Sequence, residues 1–101
     1  MYRIVWEYSV KEECLPEFEE VYGPEGQWAV FFRRSSDYVG TSLFRCTTEA
    51  NRFITLDLWR SRVAYEQFRK AHADDYAALD ESCERLIERE RTLGVTDDGR
   101  D

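Results

Sequence analysis

From Tyr2 to Val10 the chain alternates Tyr2, Ile4, Trp6, Tyr8 and Val10 against Arg3, Val5, Glu7 and Ser9, a period of two that predicts a strand. The period then changes. Lys11 to Glu13 reads as a polar turn, after which Leu15, Phe18 and Tyr22 recur at helical spacing, with Pro16 in the first turn and Glu12, Glu13 and Glu17 near the positive end of the dipole. Gly23-Pro24-Glu25-Gly26 interrupts that helix. A second helical piece follows, carrying Trp28, Phe31 and Phe32 on one side and Arg33 and Arg34 near its end.

After the loop Ser35–Asp37, strand-compatible residues return from Tyr38 to Cys46, with Gly40 as a place for a bend or bulge. The polar Thr47–Asn51 makes a hairpin connection to a strand over Arg52–Trp59. Ser61 is a candidate N-cap for a helix with Tyr65, Phe68 and His72 on one face, and Tyr76, Leu79, Cys83 and Leu86 continue the helical period. Ile87–Leu93, ending at Gly94, reads as a last charged strand, although a continued helix fits the propensities nearly as well. The expected domain covers residues 1–95, with 96–101 as a solvated, flexible tail.

The resulting order is the split β-α-β-β-α-β plan, an α+β ferredoxin-like fold in which two helices cover one face of an antiparallel sheet. The other face remains to be covered, and a second copy is the economical cover. A chain of 101 residues buries about 60–65% of its unfolded surface, so association helps. Six Phe, six Tyr and three Trp in a chain that is 35% charged suit a domain placing apolar surface against a twin or a ligand.

A net charge of −7 argues against nucleic acid and against anionic membranes, since phosphate binding draws on a positive stripe. The longest apolar run, Trp28–Phe32, is closed by Arg33 and Arg34, too short for a spanning segment or leader. A soluble cytoplasmic protein is expected. Cys14, Cys46 and Cys83 are odd in number and widely separated, which supports neither a disulfide framework nor a metal site; they read as small buried hydrophobes. The carboxylate-rich runs Glu12–Glu20 and Asp74–Glu84 mostly face away from the apolar stripe and read as solvated surface.

Candidate chemistry concentrates near the third strand. Alternation puts Phe53, Thr55, Asp57 and Trp59 on one face and Ile54, Leu56 and Leu58 on the other, so the first face is half polar in a strand expected to be central. Asp57 there is either a general base or substrate anchor beside Trp59, with burial raising its pKa, or a structural ion-pair partner of Arg3, Arg45 or Arg60. Trp59 closes the strand and Tyr65 follows one helical turn later, two amphipathic rings suited to lining a pocket, or to packing. Tyr65 is more credible as a hydrogen-bond donor than as a base. His72, the one histidine, is either a proton-transfer group or a structurally satisfied helix residue. Trp28 and Phe32 read as core residues with access to a ligand.

The strand order, Trp59-Arg60-Ser61 closing the third strand, Tyr65 and Phe68 in the next helix, Tyr76-Ala77-Ala78-Leu79 further on and Leu93-Gly94 near the end resemble the antibiotic biosynthesis monooxygenase family of dimeric α/β barrels. The resemblance implies a homodimer whose sheets pack face to face, with a ligand cavity in each subunit between sheet and helices. In the family's polyketide-type oxygenases the strand-end Trp stands with an Asn four residues earlier and a Tyr six residues later. Trp59 and Tyr65 match, and the Asn position is Thr55, without the amide's paired donor and acceptor. In the haem-degrading branch a helical Trp is followed by a His ten residues on; here those positions are Phe68 and Ala78, and the first strand has no Asn, so haem degradation is set aside.

The activity so implied is cofactor-independent monooxygenation of a small aromatic or quinol-like, polyketide-type compound. Trp59, Tyr65 and His72 are the expected catalytic residues, and Thr55, Asp57, Phe68 and Trp28 the expected substrate contacts. No cofactor or metal is implied. The same scaffold leaves two alternatives: a non-catalytic dimeric ligand-binding or accessory protein, or a lyase or cyclase using His72 or Asp57.

Overall fold

The computed structural model describes residues 1–98. Strand β1 (Tyr2–Val10) leads through a 3₁₀ turn (Glu12–Cys14) into helix α1 (Leu15–Tyr22) and the short α2 (Gln27–Phe32). Strands β2 (Tyr38–Arg45) and β3 (Arg52–Trp59) form a hairpin, followed by α3 (Arg62–Ala71), α4 (Ala73–Cys83), a second 3₁₀ turn (Glu84–Leu86) and β4 (Ile87–Asp97). The sheet order is β2-β3-β1-β4, with every neighbouring pair antiparallel. This is the α+β ferredoxin-like arrangement that the alternation predicts, with β3 inserted between β2 and β1.

Local chemistry explains the element ends. Ser61 has extended backbone and its hydroxyl accepts from the Ala64 N–H at 3.1 Å, the N-cap of α3. Gly26 separates α1 from α2, where a Cβ would collide with the carbonyls of Glu20 and Val21, so the corner demands glycine. The helical period after Ser61 is not one helix. His72 leaves helical geometry at φ −120°, ψ 31° and divides α3 from α4.

The last strand also differs from expectation in length. Beyond a register shift opposite Val5 and Trp6, β4 stays paired with β1 through Asp97, which faces Tyr2. Asp98 then accepts from the N-terminal ammonium at 2.5 Å and from Arg3 at 3.1 Å. Thr96 and Asp97 are therefore strand rather than tail, because β1 offers a free ladder as far as Tyr2; the expected tail beyond Asp98 lies outside the described residues.

One face of the sheet carries all four helices. Its ladder runs Tyr2 opposite Trp59, Ile4 opposite Asp57, Trp6 opposite Thr55 and Tyr8 opposite Phe53. The buried core of Tyr2, Ile4, Tyr8, Val10, Phe53 and Trp59 meets Phe18, Tyr22, Trp28, Phe31, Phe32 and Phe68 from the helices. The opposite face presents Val5, Ile54, Leu56 and Leu58, half-buried, with Phe44 53% exposed. Among the described residues no helix is long and apolar enough to cross a membrane.

Candidate functional site

Two regions lie along the helix-facing side of β3, and they differ in how they are filled. At its C-terminal end Trp59 is 0% exposed. Its indole sits 5.3–5.5 Å, centroid to centroid, from Phe32, Tyr38, Tyr65 and Phe68. Five rings close on one another there and leave no hollow. The expectation that Trp59 and Tyr65 border a common cavity is corrected by this packing: the two rings touch, with Trp59 sealed inside and Tyr65 half-buried. Tyr65 also packs on Tyr2 at 5.7 Å, and its hydroxyl accepts from Arg69 at 2.9 Å.

Moving back along β3, the side chains shrink and become polar, and a cavity of about 260 Å³ opens between sheet and helices. Asp57, Thr55 and Thr41 form part of its floor, and the rings of Trp6, Tyr8, Tyr22, Trp28, Phe32 and Tyr76 wall it. Arg69, Asp80 and Glu90 also line it. Of the seven residues singled out from sequence, Thr55, Asp57 and Trp28 line this cavity. Trp59, Tyr65, Phe68 and His72 do not. Phe68 is buried between Phe31, Phe32 and Trp59, and His72 packs on Phe68 at 4.6 Å with the rings tilted by 39° and meets Phe31 edge-on. A larger groove of about 620 Å³ runs outside α1, α2 and α4 and is rimmed by Glu17, Glu20, Glu25 and Asp75. It is open to water and holds no buried polar group, so the chemistry belongs to the smaller space.

Asp57 dominates the cavity's electrostatics. The three arginines considered as partners are occupied or distant: Arg3 pairs with Asp98, Arg45 lies over the Phe53 ring at 5.8 Å, and Arg60 is exposed. Among the described residues Asp57 makes no ion pair, so the structural-pair reading is corrected. Its Oδ1 accepts from Thr41 Oγ1 at 2.6 Å. Desolvation pushes its pKa up to about 6 against the opposing pull of the Thr41 hydrogen bond. A carboxylate held there is half-ionised near pH 6 and ready to take a proton at neutral pH.

The surrounding phenols are donors rather than bases. Burial raises the pKa of Tyr8, Tyr22 and Tyr76, so each stays a neutral hydroxyl. Burial likewise raises Glu90. The Arg69 guanidinium lies 3.6 Å from the centroid of Tyr76, a close cation–π contact, and makes no ion pair among the described residues. Trp28 adds a buried indole Nε1 that makes no well-aligned hydrogen bond among the described residues, its nearest acceptor being the Tyr22 hydroxyl; Trp59 Nε1 is likewise buried without a hydrogen bond among them, and its indole packs against the rings of Phe32 and Phe68. A donor so weakly engaged beside a cavity is a place for a ligand oxygen.

Sequence reasoning missed most of the walls. Trp6 and Tyr8 were legible as the helix-facing residues of β1, but their role depends on lying opposite Thr55 and Phe53. Thr41 is opposite Asp57 across the β2–β3 hairpin, in a register that runs unbroken outward from the turn and shifts only beyond Gly40, so the pairing depends on where the turn sets that register. Arg69, four residues after Tyr65, sits at the position a helical turn assigns to a neighbour. Asp80 and Glu90 carried no signal distinguishing them from the solvated acids around them.

The family model of antibiotic biosynthesis monooxygenase matches residues 1–79. The chain belongs to the antibiotic biosynthesis monooxygenase family. Among solved structures it is similar to SnoaB, a cofactor-independent oxygenase from Streptomyces nogalater, at 23% identity over 95% of this chain and 90% of that one, with a TM-score of 0.72. A variant of SnoaB superposes at a TM-score of 0.78, with 18% identity over 99% of this chain and 94% of that chain. A protein from Deinococcus radiodurans designated an antibiotic biosynthesis monooxygenase gives a TM-score of 0.75 at 11% identity, covering 100% of this chain and 95% of its own. At these identities the structures speak for the fold. No curated protein matches the chain by sequence.

Proposed function

We propose that this family member is a cofactor-independent monooxygenase of a small aromatic or quinol-like compound, with Asp57 as its base. The carrying observation is Asp57 itself, a half-buried carboxylate on the floor of a ring-walled cavity that makes no ion pair among the described residues and has its pKa pushed up to about 6 by desolvation. Family membership supports the reaction class, and SnoaB's description as a cofactor-independent oxygenase supports doing without a cofactor.

The cavity's polar groups describe its ligand. Asp57 Oδ1 is taken by Thr41, which leaves Oδ2 for an acidic O–H or C–H, while the Trp28 Nε1 needs an acceptor oxygen. A flat ring carrying both, as a hydroxylated ring ketone or a quinol does, satisfies the two ends. In the proposed reaction Asp57 removes the proton, and the resulting anion passes an electron to dioxygen. The radical pair joins at carbon as a hydroperoxide, which regains the proton and loses water to leave a carbonyl. One oxygen atom ends in product and the other in water, with no outside reductant. Thr55 contributes a hydroxyl to the floor, and Trp59 and Tyr65 act behind the cavity wall rather than on the ring. His72 has no role in this scheme.

The active unit is a homodimer. The open sheet face joins Val5, Ile54, Leu56, Leu58 and the exposed Phe44, and its acid Glu7 is 12% exposed and held by Arg52 and Arg91. Charges paired with one another, Glu7 and Glu49 against Arg52 and Arg91, beside aliphatic side chains are compatible with burial against a twin. Leu56→Asp is expected to turn a dimer into a monomer in sedimentation.

Oxygen uptake against a panel of hydroxyanthrones and hydroquinones tests the activity. Uptake with at least one, lowered about 10²-fold or more by Asp57→Asn at saturating substrate, is the expected result; an Asn variant as fast as the parent would remove Asp57 from the chemistry. Quenching of tryptophan fluorescence by the same compounds without uptake would make the protein a ligand-binding module.

A further inference from the structure

A chain of three hydroxyl and carboxyl groups leads away from the cavity toward the packed rings at the strand end. Asp57 Oδ1 lies 2.6 Å from Thr41 Oγ1, and Thr41 Oγ1 lies 2.5 Å from the Tyr38 hydroxyl. The sense of the chain follows from counting protons. An ionised carboxylate only accepts and a threonine hydroxyl has one proton to give. Thr41 therefore donates to Asp57, and Tyr38 must donate to Thr41.

We propose that Thr41 and Tyr38 are positioning residues of the cavity, holding Asp57 with Oδ1 engaged and Oδ2 presented to the ligand, and tying that orientation to the Trp59 ring cluster. This rests on the reading of Asp57 as the cavity's base. The ladder makes the connection rigid, since Thr41 is paired with Asp57 and Tyr38 with Trp59 across β2 and β3. The Tyr38 ring is clamped by Trp59 at 5.4 Å and Phe32 at 5.5 Å. A ring fixed on two sides has little freedom to swing its hydroxyl, so Thr41 is left one favourable rotor position. The solid cluster at the strand end thereby acquires a part in the site it does not line: it sets the first link of a chain whose last link is the carboxylate. Sealed against the rings, Trp59 acts through Tyr38, not through the ligand.

The other titratable groups facing Asp57 are Tyr8 from β1, Tyr22 from α1, Arg69 from α3, Tyr76 and Asp80 from α4, and Glu90 from β4. None of them hydrogen-bonds to the carboxylate. Thr41 is thus the one specific contact through which the protein holds its ionised form against desolvation.

The test uses the ligand-free protein and the Asp57 carboxyl signal, read by infrared or carbon NMR and assigned by its loss in Asp57→Asn. Thr41→Val keeps the β-branched shape and removes the hydrogen bond. It is expected to move the titration midpoint of Asp57 upward by about one pH unit, and Thr41→Ser to restore it. Tyr38→Phe, which keeps the ring packing, is expected to move it the same way by less. If the uptake reaction is found, the acidic limb of its pH profile moves by the same amount in each variant. An unchanged midpoint in Thr41→Val overturns the proposal. So does a raised midpoint that Thr41→Ser fails to restore, since that would trace to packing. A parental midpoint in Tyr38→Phe overturns the link to the ring cluster. Titration without turnover keeps the two readings apart: loss of all oxygen uptake with the predicted shifts intact sinks the oxygenase and leaves the positioning chain standing.

Discussion

Trp59 and Asp57 are two residues apart on the same face of the same strand, and they end in opposite environments. Around Trp59 every neighbour is a large ring, and side chains of that size interlock until water is excluded. Around Asp57 the ladder partners are Ile4 and Thr41 and the next helix-facing residue is Thr55, too small to meet the rings descending from α1, α2 and α4. A cavity is what remains. The position of the candidate cavity thus follows side-chain volume along β3 more than any single reactive group, and Trp59, the strand-end Trp, is enclosed by rings outside it.

The sharpest way to break this comparison is to hollow out the solid end. Trp59→Ala is expected to destabilise the protein by about 3–5 kcal/mol, measured by denaturant unfolding. A loss under about 1 kcal/mol would mean that the cluster is not the anchor described. Emptying the cavity's charge does the reverse. Asp57 has a folded pKa raised above its unfolded value, so the native state binds the extra proton: its stability is fully present below about pH 4 and is lost as pH rises through about 6. The difference of about two pH units corresponds to at most about 3 kcal/mol. Asp57→Asn is therefore expected to raise Tm at pH 8 and to leave it nearly unchanged at pH 4. Equal effects at both values would mean that the carboxylate is not ionised against desolvation.

The smallest effect belongs to the boundary between the two regions. Tyr65→Phe removes a hydroxyl bonded to Arg69 near the surface and is expected to cost about 0.5–1 kcal/mol, with ligand affinity, followed by fluorescence quenching, changed less than about twofold. A large loss of binding would restore Tyr65 to the cavity.

Much of the fold was legible in the chain. Period-two runs identified β1 and β3 and strand-compatible residues β2, and the face assignment of Phe53, Thr55, Asp57 and Trp59 followed from alternation alone, because successive strand side chains must point to opposite sides. Ser61 as an N-cap and the glycine-bounded corner before α2 followed from equally local rules. The helix break at His72 was not legible, since Ala71-His72-Ala73 carries no breaker, and neither was the full length of β4, which depends on β1 continuing to offer partners.

By itself the sequence determined the order of elements as far as α3 and the faces of β1 and β3, consequences of spacing within a few residues of each position, and its resemblance along the chain pointed to the family. Tertiary structure alone decided which face residues have a wall and which have a void. Alternation says that Asp57 and Trp59 point the same way; it cannot say that Thr41 stands beside one and Tyr38 beside the other, or which helix lowers a ring far enough to close the gap. Those depend on ladder register and helix docking, which join residues distant in the chain, and it is that joining that set a carboxylate on the floor of a ring-walled cavity with Thr41 as its hydrogen-bond partner.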